Sequence, residues 1–183
     1  MYSEEDICRD FLNTILPQFD WDSGHNRDTP RRYLNMLKEL TEAEEFKFTT
    51  FDNELGLDEM IIIRRIPFYT LCAHHLIPFH GEAHIAYIPD AYIAGLSKFA
   101  RAVRYLAKGL WVQEHLTDAI ANYLETHLDP RGIAVVMEAE HLCISMRGAQ
   151  VPGTRTSTSA MRGVFLDPQR KARDEFLSLI GGK

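Results

Sequence analysis

Two pairs of strand patterns flank two helical patterns in this chain, and that order leaves few folds open. The strand patterns are β-branched or alternate in polarity, whereas the helical patterns repeat apolar residues every three or four positions. In chain order these six segments are residues 60–68, 79–87, 99–110, 112–124, 133–140 and 142–151. The order strand, strand, helix, helix, strand, strand predicts an α+β fold, in which an antiparallel β-sheet carries its helices on one face. A last amphipathic helix is predicted over residues 170–180.

An N-terminal helical arm is predicted ahead of the strands. Ser3 is positioned to cap a first helix whose apolar residues follow helical spacing. Thr29 and Pro30 then predict the N-cap and the first residue of a second helix. We therefore expect residues 1–56 to form the arm and residues 57–183 to form the core, within a single domain overall.

Composition limits the classes of protein to which the chain can belong. Its 183 residues carry 20 Lys and Arg against 26 Asp and Glu, a formal net charge of −6, and 45% of them are hydrophobic. This content predicts a globular domain with a substantial core. The acidic balance argues against general nucleic-acid binding. No apolar run reaches the length of about 18 residues that predicts a membrane span, and the N-terminus does not resemble a signal peptide.

Cysteine usage points to a reducing compartment. The three cysteines, Cys8, Cys72 and Cys143, are an odd number and too few for a disulfide framework. We therefore expect a cytoplasmic protein in which cysteine serves a metal or a catalytic step. Cys8 lies among charged residues near the N-terminus and is assigned no role.

A thiol and two imidazoles lie within four residues, at Cys72, His74 and His75. Zinc accepts thiolate and imidazole in a tetrahedral shell, and a catalytic zinc keeps three protein ligands so that water can hold the fourth position. A loop can turn two of these three side chains toward one point, which makes half of a metal site. The alternative is a pair of solvated histidines.

Cys143 is the natural candidate for the missing ligand. The alternation of the predicted strand over residues 142–151 places Cys143 on one face with His141, Ser145 and Arg147. A thiol, an imidazole and a guanidinium on one strand face are typical of a site wall. Taken alone, a cysteine in a strand is more often a small core residue.

A competing metal site involves His80, Glu82 and His84, which alternate on one face of the second strand. Two imidazoles and a carboxylate could ligate a metal. However, consecutive residues on one strand face lie about 6 to 7 Å apart, which strains three such ligands onto one ion. We interpret these residues as a polar sheet face that lines a channel or a subunit contact.

A second group of residues suits a polyphosphate. Ser97 and Lys98 lie at the start of the first core helix, where free N–H groups and the helix dipole attract anions, and Arg101 follows one turn later. Arg147 and Arg32 could add further phosphate donors. The alternative is the ordinary start of a solvated helix.

A third group, Gln113 and Glu114, opens the next helix. A carboxylate beside an amide can bind the N1–H and the exocyclic amine of guanine, because that edge offers two donors to one carboxylate. The alternative is an acidic residue that stabilises the first helical turn through the helix dipole.

These groups follow one another as ordered sequence blocks. The blocks are Cys72-Ala73-His74-His75-Leu-x-Pro-Phe, Gly95-Leu96-Ser97-Lys98-x-x-Arg101, Val112-Gln113-Glu114-x-Leu116-Thr117, and His141-Leu142-Cys143 followed by Arg147-Gly148. Together they resemble the zinc-dependent GTP cyclohydrolase I family, over about residues 29–180. The chain is similar to a divergent member, because Ala73 stands where the family usually has Glu and Asn35 where it usually has Lys.

The resemblance implies roles for the matching residues. It implies that zinc is held by Cys72, His75 and Cys143, and that His74 and His141 transfer protons. The remaining implied contacts are with phosphate and ribose by Ser97, Lys98, Arg101 and Arg147, with phosphate by Arg32 from another subunit, and with guanine by Gln113 and Glu114. Ser97 and His74 are expected to act at the ribose end of the substrate.

The resemblance also implies a fold, an assembly and a reaction. The fold is the tunnelling fold, in which subunit sheets join into barrels, and two rings commonly stack into a decamer with active sites between subunits. The expected reaction is hydrolytic opening of the guanine imidazole ring of GTP, which gives 7,8-dihydroneopterin triphosphate and formate. Two alternatives stay open: a zinc-stabilised nucleotide-binding oligomer without catalysis, motivated by Ala73, and a cyclohydrolase for a related purine triphosphate.

Overall fold

The computed structural model describes residues 2–181, which form two compact units divided between Glu42 and Ala43. The N-terminal unit contains the helices α1 (Glu4–Ile15) and α2 (Thr29–Thr41). The Ser3 hydroxyl accepts a hydrogen bond from the Asp6 amide, and the Asp6 carboxylate accepts one from the Ser3 amide. This capping box confirms the predicted start of the first helix.

The second helix begins one residue earlier than predicted. Asp28 occupies the N-cap position, and its side chain makes no capping hydrogen bond. Thr29 and Pro30 are the first two helical residues, where proline is tolerated because the amide nitrogens of the first turn have no helical acceptor. The N-terminal unit has its own small core, in which Cys8, Leu12 and Trp21 are buried.

The second unit contains the remaining strands and helices. In chain order they are β1 (Thr50–Asp52), β2 (Ile61–Cys72), β3 (Pro78–Ile88), β4 (Tyr92–Ala94), α3 (Ser97–Leu106), β5 (Leu110–Trp111), α4 (Gln113–Leu128), β6 (Gly132–His141), α5 (Leu142–Ser145), β7 (Thr156–Gly163), a 3-10 helix (Val164–Leu166) and α6 (Ala172–Gly181). Among the described residues, no helix is long and apolar enough to cross a membrane.

One five-stranded sheet organises this unit. Its strand order is β5-β2-β3-β6-β7, antiparallel throughout except for the parallel pair of β2 with the short edge strand β5. Phe68, Phe79 and Ile85 point from the sheet into a core completed by Phe99 of α3 and Leu116 of α4. The predicted α+β architecture, with an antiparallel sheet and these two helices on one face, is confirmed.

The last helix covers part of the opposite sheet face. Ala134 and Val136, which alternate with the core residues of β6, pack in a second cluster with Phe165 of the 3-10 helix and Phe176 of α6. The sheet is therefore apolar on both faces where α6 and the 3-10 helix pack against it. Elsewhere the second face is polar.

The predicted strand over residues 142–151 is wrong. The chain leaves β6 at His141 and forms α5, and Gly148 and Gly153 then take left-handed φ angles of 65° and 81° that interrupt any strand. The last strand of the sheet is β7, whose Thr and Ser residues carry a weak apolar signal. Pairing with β6 selects it as a strand, because strand preference depends on the neighbouring strand more than on composition.

The segment that links the arm to the first long strand also contributes to the sheet-bearing unit. β1 lies within residues 1–56, which were predicted to form the arm, but it pairs with β4 of the second unit. Phe46 and Phe48 form ring contacts with Tyr123 of α4. A three-residue strand is too short to leave a periodic signal, so its pairing could not be predicted.

A close approach of two strands at Gly81 gives a test of the core sheet. A Cβ at this residue of β3 would collide with the carbonyl oxygen of Glu138 in β6 and lie 2.7 Å from the Cα of Ala139. We expect Gly81→Ala to lower the free energy of unfolding by about 3 kcal/mol in urea titrations. Gly24→Ala is the control, because a Cβ there meets nothing within 4 Å. Equal stability of the two variants would contradict the β3–β6 register.

Candidate metal centre and substrate site

The metal-binding loop predicted from the sequence is a tight turn between β2 and β3. β2 ends at Cys72, whose side chain is only 4% exposed. The carbonyl oxygen of Cys72 accepts hydrogen bonds from the amides of His75 at 3.3 Å and Leu76 at 2.8 Å. Leu76 takes a left-handed φ of 54°, which reverses the chain. The turn buries Cys72 and leaves His74 and His75 on the exposed side.

Cys143 reaches this turn from the end of β6. His141, the last residue of β6, lies opposite Phe79 of β3, and α5 begins at the next residue. The Sγ atoms of Cys143 and Cys72 are 4.0 Å apart. Burial raises the pKa of the Cys143 thiol, and the neighbouring Cys72 raises this pKa further. A cation bound between the two sulfurs would favour their thiolate forms.

Three histidines lie near the cysteine pair. The Nδ1 atoms of His74 and His75 are each 3.9 Å from the Sγ of Cys72. Within residues 2–181, one group of three metal-ligating side chains has all its ligand atoms within 4.8 Å of one another, and it consists of Cys72, His141 and Cys143. The structure thus gathers the two predicted cysteine ligands with His141 and places His75 beside Cys72.

These distances fit a tetrahedral zinc site. Zinc binds sulfur at about 2.3 Å and nitrogen at about 2.0–2.1 Å, so tetrahedral angles separate two sulfurs by about 3.8 Å and a sulfur from a nitrogen by about 3.6 Å. The separation of the cysteine Sγ atoms is 4.0 Å, and that between Cys72 Sγ and His75 Nδ1 is 3.9 Å. Thiolate and imidazole are also the donor types that zinc prefers. The two cysteines and the neighbouring imidazoles therefore supply donors of a type and spacing that fit this metal.

His141 is held from two sides. Its ring stacks on Phe79, with ring centroids 4.3 Å apart and 7° between the planes. Its Nε2 lies 2.7 Å from Oε1 of Gln113. Burial lowers the pKa of His141, and the Glu114 carboxylate opposes this effect. The result is a half-buried imidazole of fixed orientation beside the two cysteines.

The residues predicted to bind phosphate lie at the start of α3. Ser97 is the first residue of this helix and is exposed. Lys98 donates from Nζ to the carbonyl oxygen of Lys47 at 2.9 Å. Arg101 is exposed one turn later. The polar end of this helix is therefore open to an anion on the side of Ser97 and Arg101.

Three further predicted substrate contacts lie on separate elements. Glu114 is exposed in the first turn of α4, close enough to raise the pKa of His141 against the effect of burial. Arg147 is exposed just after α5, and its charge opposes the rise in the pKa of Cys143. The guanidinium of Arg32 is hydrogen-bonded within the N-terminal unit.

The placement of Cys143 differs from its prediction in one respect. The sequence predicts a strand that aligns Cys143 with Ser145 and Arg147 on one face. In the structure these residues belong to α5 and the turn after it, so that Ser145 is buried while Arg147 is exposed. Cys143 reaches Cys72 because β6 delivers it there and not because of strand alternation.

Gln113, which is predicted to contact guanine, lies at the start of α4, where its side chain packs against the sheet. This side chain is 1% exposed, and its amide nitrogen donates to backbone oxygens of Met137 and Thr156. Such contacts depend on where α4 meets β6 and β7. No local pattern in the sequence predicts these contacts. The stacking of Phe79 on His141 could not be predicted either, because it depends on the register between β3 and β6.

The competing set on β3 does not gather around one point. Among the described residues, His80, Glu82 and His84 do not form a group whose ligand atoms meet the distance of the cysteine site. His84 is buried, its Nδ1 has no hydrogen-bond partner, and burial lowers its pKa. His80 stacks on Tyr69 of β2, at a centroid distance of 5.5 Å. These residues form a polar sheet face.

Comparison with known proteins finds relatives that this chain matches over most of their length. Residues 6–181 match the model of a family described as GTP cyclohydrolase I. The chain is 51% identical over 156 residues to GTP cyclohydrolase 1 of Aquifex aeolicus, covering 85% of this chain and 84% of the relative. It is 51% identical over 154 residues to the Sulfurihydrogenibium protein of that name, covering 84% and 82%. With the Gloeobacter violaceus protein of that name the identity is 44% over 186 residues, which is 97% of this chain and 86% of the relative.

The match agrees with the family resemblance of the sequence blocks. The chain belongs to the GTP cyclohydrolase I family, and its α+β core is the tunnelling fold of that family.

Proposed function

We propose that this chain is a GTP cyclohydrolase I, a hydrolase that opens the imidazole ring of GTP to give 7,8-dihydroneopterin triphosphate and formate. The observation that carries the proposal is the meeting of Cys72 and Cys143, with sulfurs 4.0 Å apart, beside three histidines. Relatives at 44–51% identity bear the name GTP cyclohydrolase 1 over at least 84% of this chain.

Zinc is the proposed metal, and Cys72, His75 and Cys143 are its proposed ligands. The separations of Cys72 Sγ from Cys143 Sγ and from His75 Nδ1 support this set, because they are close to two edges of a zinc tetrahedron. When bound, zinc lowers the pKa of a water molecule toward about 7 and so provides a nucleophile at neutral pH. Three protein ligands are the number that a catalytic zinc site would require.

His141 is the proposed proton donor to the purine ring. A proton donor must keep a fixed orientation within hydrogen-bond reach of the atom that it protonates. The stacking on Phe79 and the hydrogen bond to Gln113 supply that orientation. Its place beside Cys72 and Cys143 supports this role, since a proton donor is needed close to the site that would hold the metal. His74 and Ser97 are proposed to act on the ribose after the purine ring has opened.

The triphosphate is proposed to bind Ser97, Lys98, Arg101 and Arg147, with Arg32 contributed by another subunit. The exposed polar start of α3 supports this assignment, since a helix N-terminus attracts anions and two cations lie within its first turns. Glu114 is proposed to accept hydrogen bonds from the guanine edge. Its exposure and its electrostatic effect on His141 support a position close to the proton donor.

The proposed assembly is a decamer of two stacked rings in the cytoplasm. β7 has no second strand partner in the described chain, and β5 at the other edge has two residues, so both sheet edges are available to neighbouring subunits. Native mass spectrometry tests the assembly directly. A monomer at micromolar concentration would contradict a site shared between subunits.

Formate release with pterin fluorescence tests the reaction. We expect zinc-loaded protein to convert GTP with both signals, and chelator-treated protein to lose them and regain them on addition of zinc. ATP serves as the matched control nucleotide, because its purine ring has no N1–H and exocyclic amine arranged for Glu114. GTP binding without any product would instead favour the nucleotide-binding oligomer suggested by Ala73. Turnover of ATP at an equal rate would contradict the guanine assignment.

A further inference from the structure

The buried side chain of Gln113 joins three elements behind His141. Gln113 is the first residue of α4 and is 1% exposed. Its Nε2 lies 3.2 Å from the carbonyl oxygen of Met137 in β6 and 2.9 Å from that of Thr156, the first residue of β7. Its Oε1 lies 2.7 Å from Nε2 of His141. A side chain that binds substrate through hydrogen bonds needs polar atoms that are available to it. Both polar atoms of this amide are bonded to other residues of the chain.

The neighbours of this amide fix its orientation. The carbonyl oxygens of Met137 and Thr156 only accept hydrogen bonds, so the atom that faces them must be the amide nitrogen of Gln113. The atom that faces His141 is therefore the amide oxygen. Rotating the amide by 180° would set an oxygen against two carbonyl oxygens, and that arrangement is strongly unfavourable.

Two hydroxyl groups reinforce the same orientation. Thr117 donates from Oγ1 to the backbone oxygen of Gln113 at 2.8 Å, which uses its only proton. Thr158 must then donate in the 2.6 Å contact between the two hydroxyls. Having spent its proton, Thr158 can only accept from Nε2 of Gln113, at 3.1 Å. The atom of Gln113 that faces Thr158 must therefore be a donor, which agrees with the assignment from the two carbonyl oxygens.

The hydrogen bond from His141 to Gln113 then has one possible direction. An amide oxygen has no proton to give, so Nε2 of His141 carries the hydrogen. In the neutral ring Nδ1 is left with the lone pair, so this nitrogen can take up a proton and pass it to the purine while Nε2 keeps its hydrogen. Stacking on Phe79 prevents the ring from leaving this plane. We infer that Gln113 is a positioning residue that locks His141 in its Nε2–H form and leaves Nδ1 as the nitrogen for chemistry.

The inference makes Gln113 act through His141 and not through guanine. Its effect on turnover rests on the proposed function, whereas its effect on the proton position of His141 does not. Partners of this kind behind a functional histidine are worth about tenfold to a hundredfold in activity or metal affinity. We therefore expect Gln113→Met to lower kcat by about tenfold to a hundredfold and to leave the Kd for GTP of the chelator-treated protein unchanged.

The direct test is solid-state NMR of chelator-treated protein labelled with ¹⁵N-histidine, in which His141→Gln identifies the signal of His141. We expect Nε2 to be protonated in the unaltered chain and both nitrogens to share the proton in Gln113→Met. Thr158→Val is the control for disturbance of the network, because Met137 and Thr156 still orient the amide. It should keep the Nε2–H form.

A second variant guards against a failure to fold. Gln113→Glu places an acid in the same buried position, where burial favours its neutral form. This acid can donate to Thr156 and accept from His141, so we expect it to recover the Nε2–H form and part of the lost kcat. A proton on Nδ1 in the unaltered chain, or an unchanged His141 signal in Gln113→Met, would overturn the inference. So would a weakening of GTP binding as large as the loss of kcat. If the protein does not turn over GTP, the NMR measurement still tests the inference, because the proton position of His141 does not depend on the proposed function.

Discussion

Replacing either Cys72 or Cys143 by serine is expected to remove both the bound zinc and the turnover of GTP. Each sulfur sits 4.0 Å from the other, and a serine hydroxyl is a much weaker zinc ligand than a thiolate. Bound metal contributes several kcal/mol to charge stabilisation in such reactions, and each 1.36 kcal/mol is a factor of ten in rate. We therefore expect kcat to fall at least about a thousandfold, measured as formate release, with zinc per chain measured by inductively coupled plasma mass spectrometry.

Cys8→Ser is the matched control for this experiment. Cys8 is a buried free cysteine of the N-terminal unit, with its Sγ 3.7 Å from the carbonyl oxygen of Pro30, a contact that a hydroxyl can retain. It should keep one zinc per chain and its turnover. Full zinc content in Cys143→Ser would contradict the proposed ligand set, and loss of zinc in Cys8→Ser would mean that the metal depends on overall stability and not on the cysteine pair.

The fold could be predicted where the pattern is local and long. The helical spacing of α3 and α4, the β-branched run at the start of β2 and the alternation in β3 are local signals, and each extends over most of an element that packs into the core. β7 escaped prediction because its Thr and Ser residues acquire their strand conformation from pairing with β6. One of its polar side chains, Thr158, belongs to the hydrogen-bond network behind His141.

The predictions about the site also differ in whether they rest on local spacing or on long-range contacts. The spacing of Cys72, His74 and His75 is a local signal, and it predicted a metal site at this loop. Cys143 was selected through a strand that does not exist, and it lies beside Cys72 because β6 carries it to the loop. The contact of Gln113 with His141 could not be predicted, because it depends on the docking of α4 against the sheet.

Both His75 and His141 lie beside Cys72, so either histidine could be the third ligand of the proposed zinc. His75→Ala is expected to lose zinc and turnover together, as the cysteine variants do. His141→Ala is expected to keep about one zinc per chain and to lose about a hundredfold to ten thousandfold in kcat, the range for a general acid. Zinc content and formate release measured on the same preparations separate the two.

The reverse pattern, with zinc lost in His141→Ala and kept in His75→Ala, would assign the metal to Cys72, His141 and Cys143. Proton transfer to the purine would then fall to another group. The two roles exclude each other because a zinc ligand gives its nitrogen lone pair to the metal, whereas a proton donor must hold a hydrogen there. With Nε2 of His141 committed to Gln113, Nδ1 can serve only one of them at a time. A result in which both variants keep zinc would contradict both assignments.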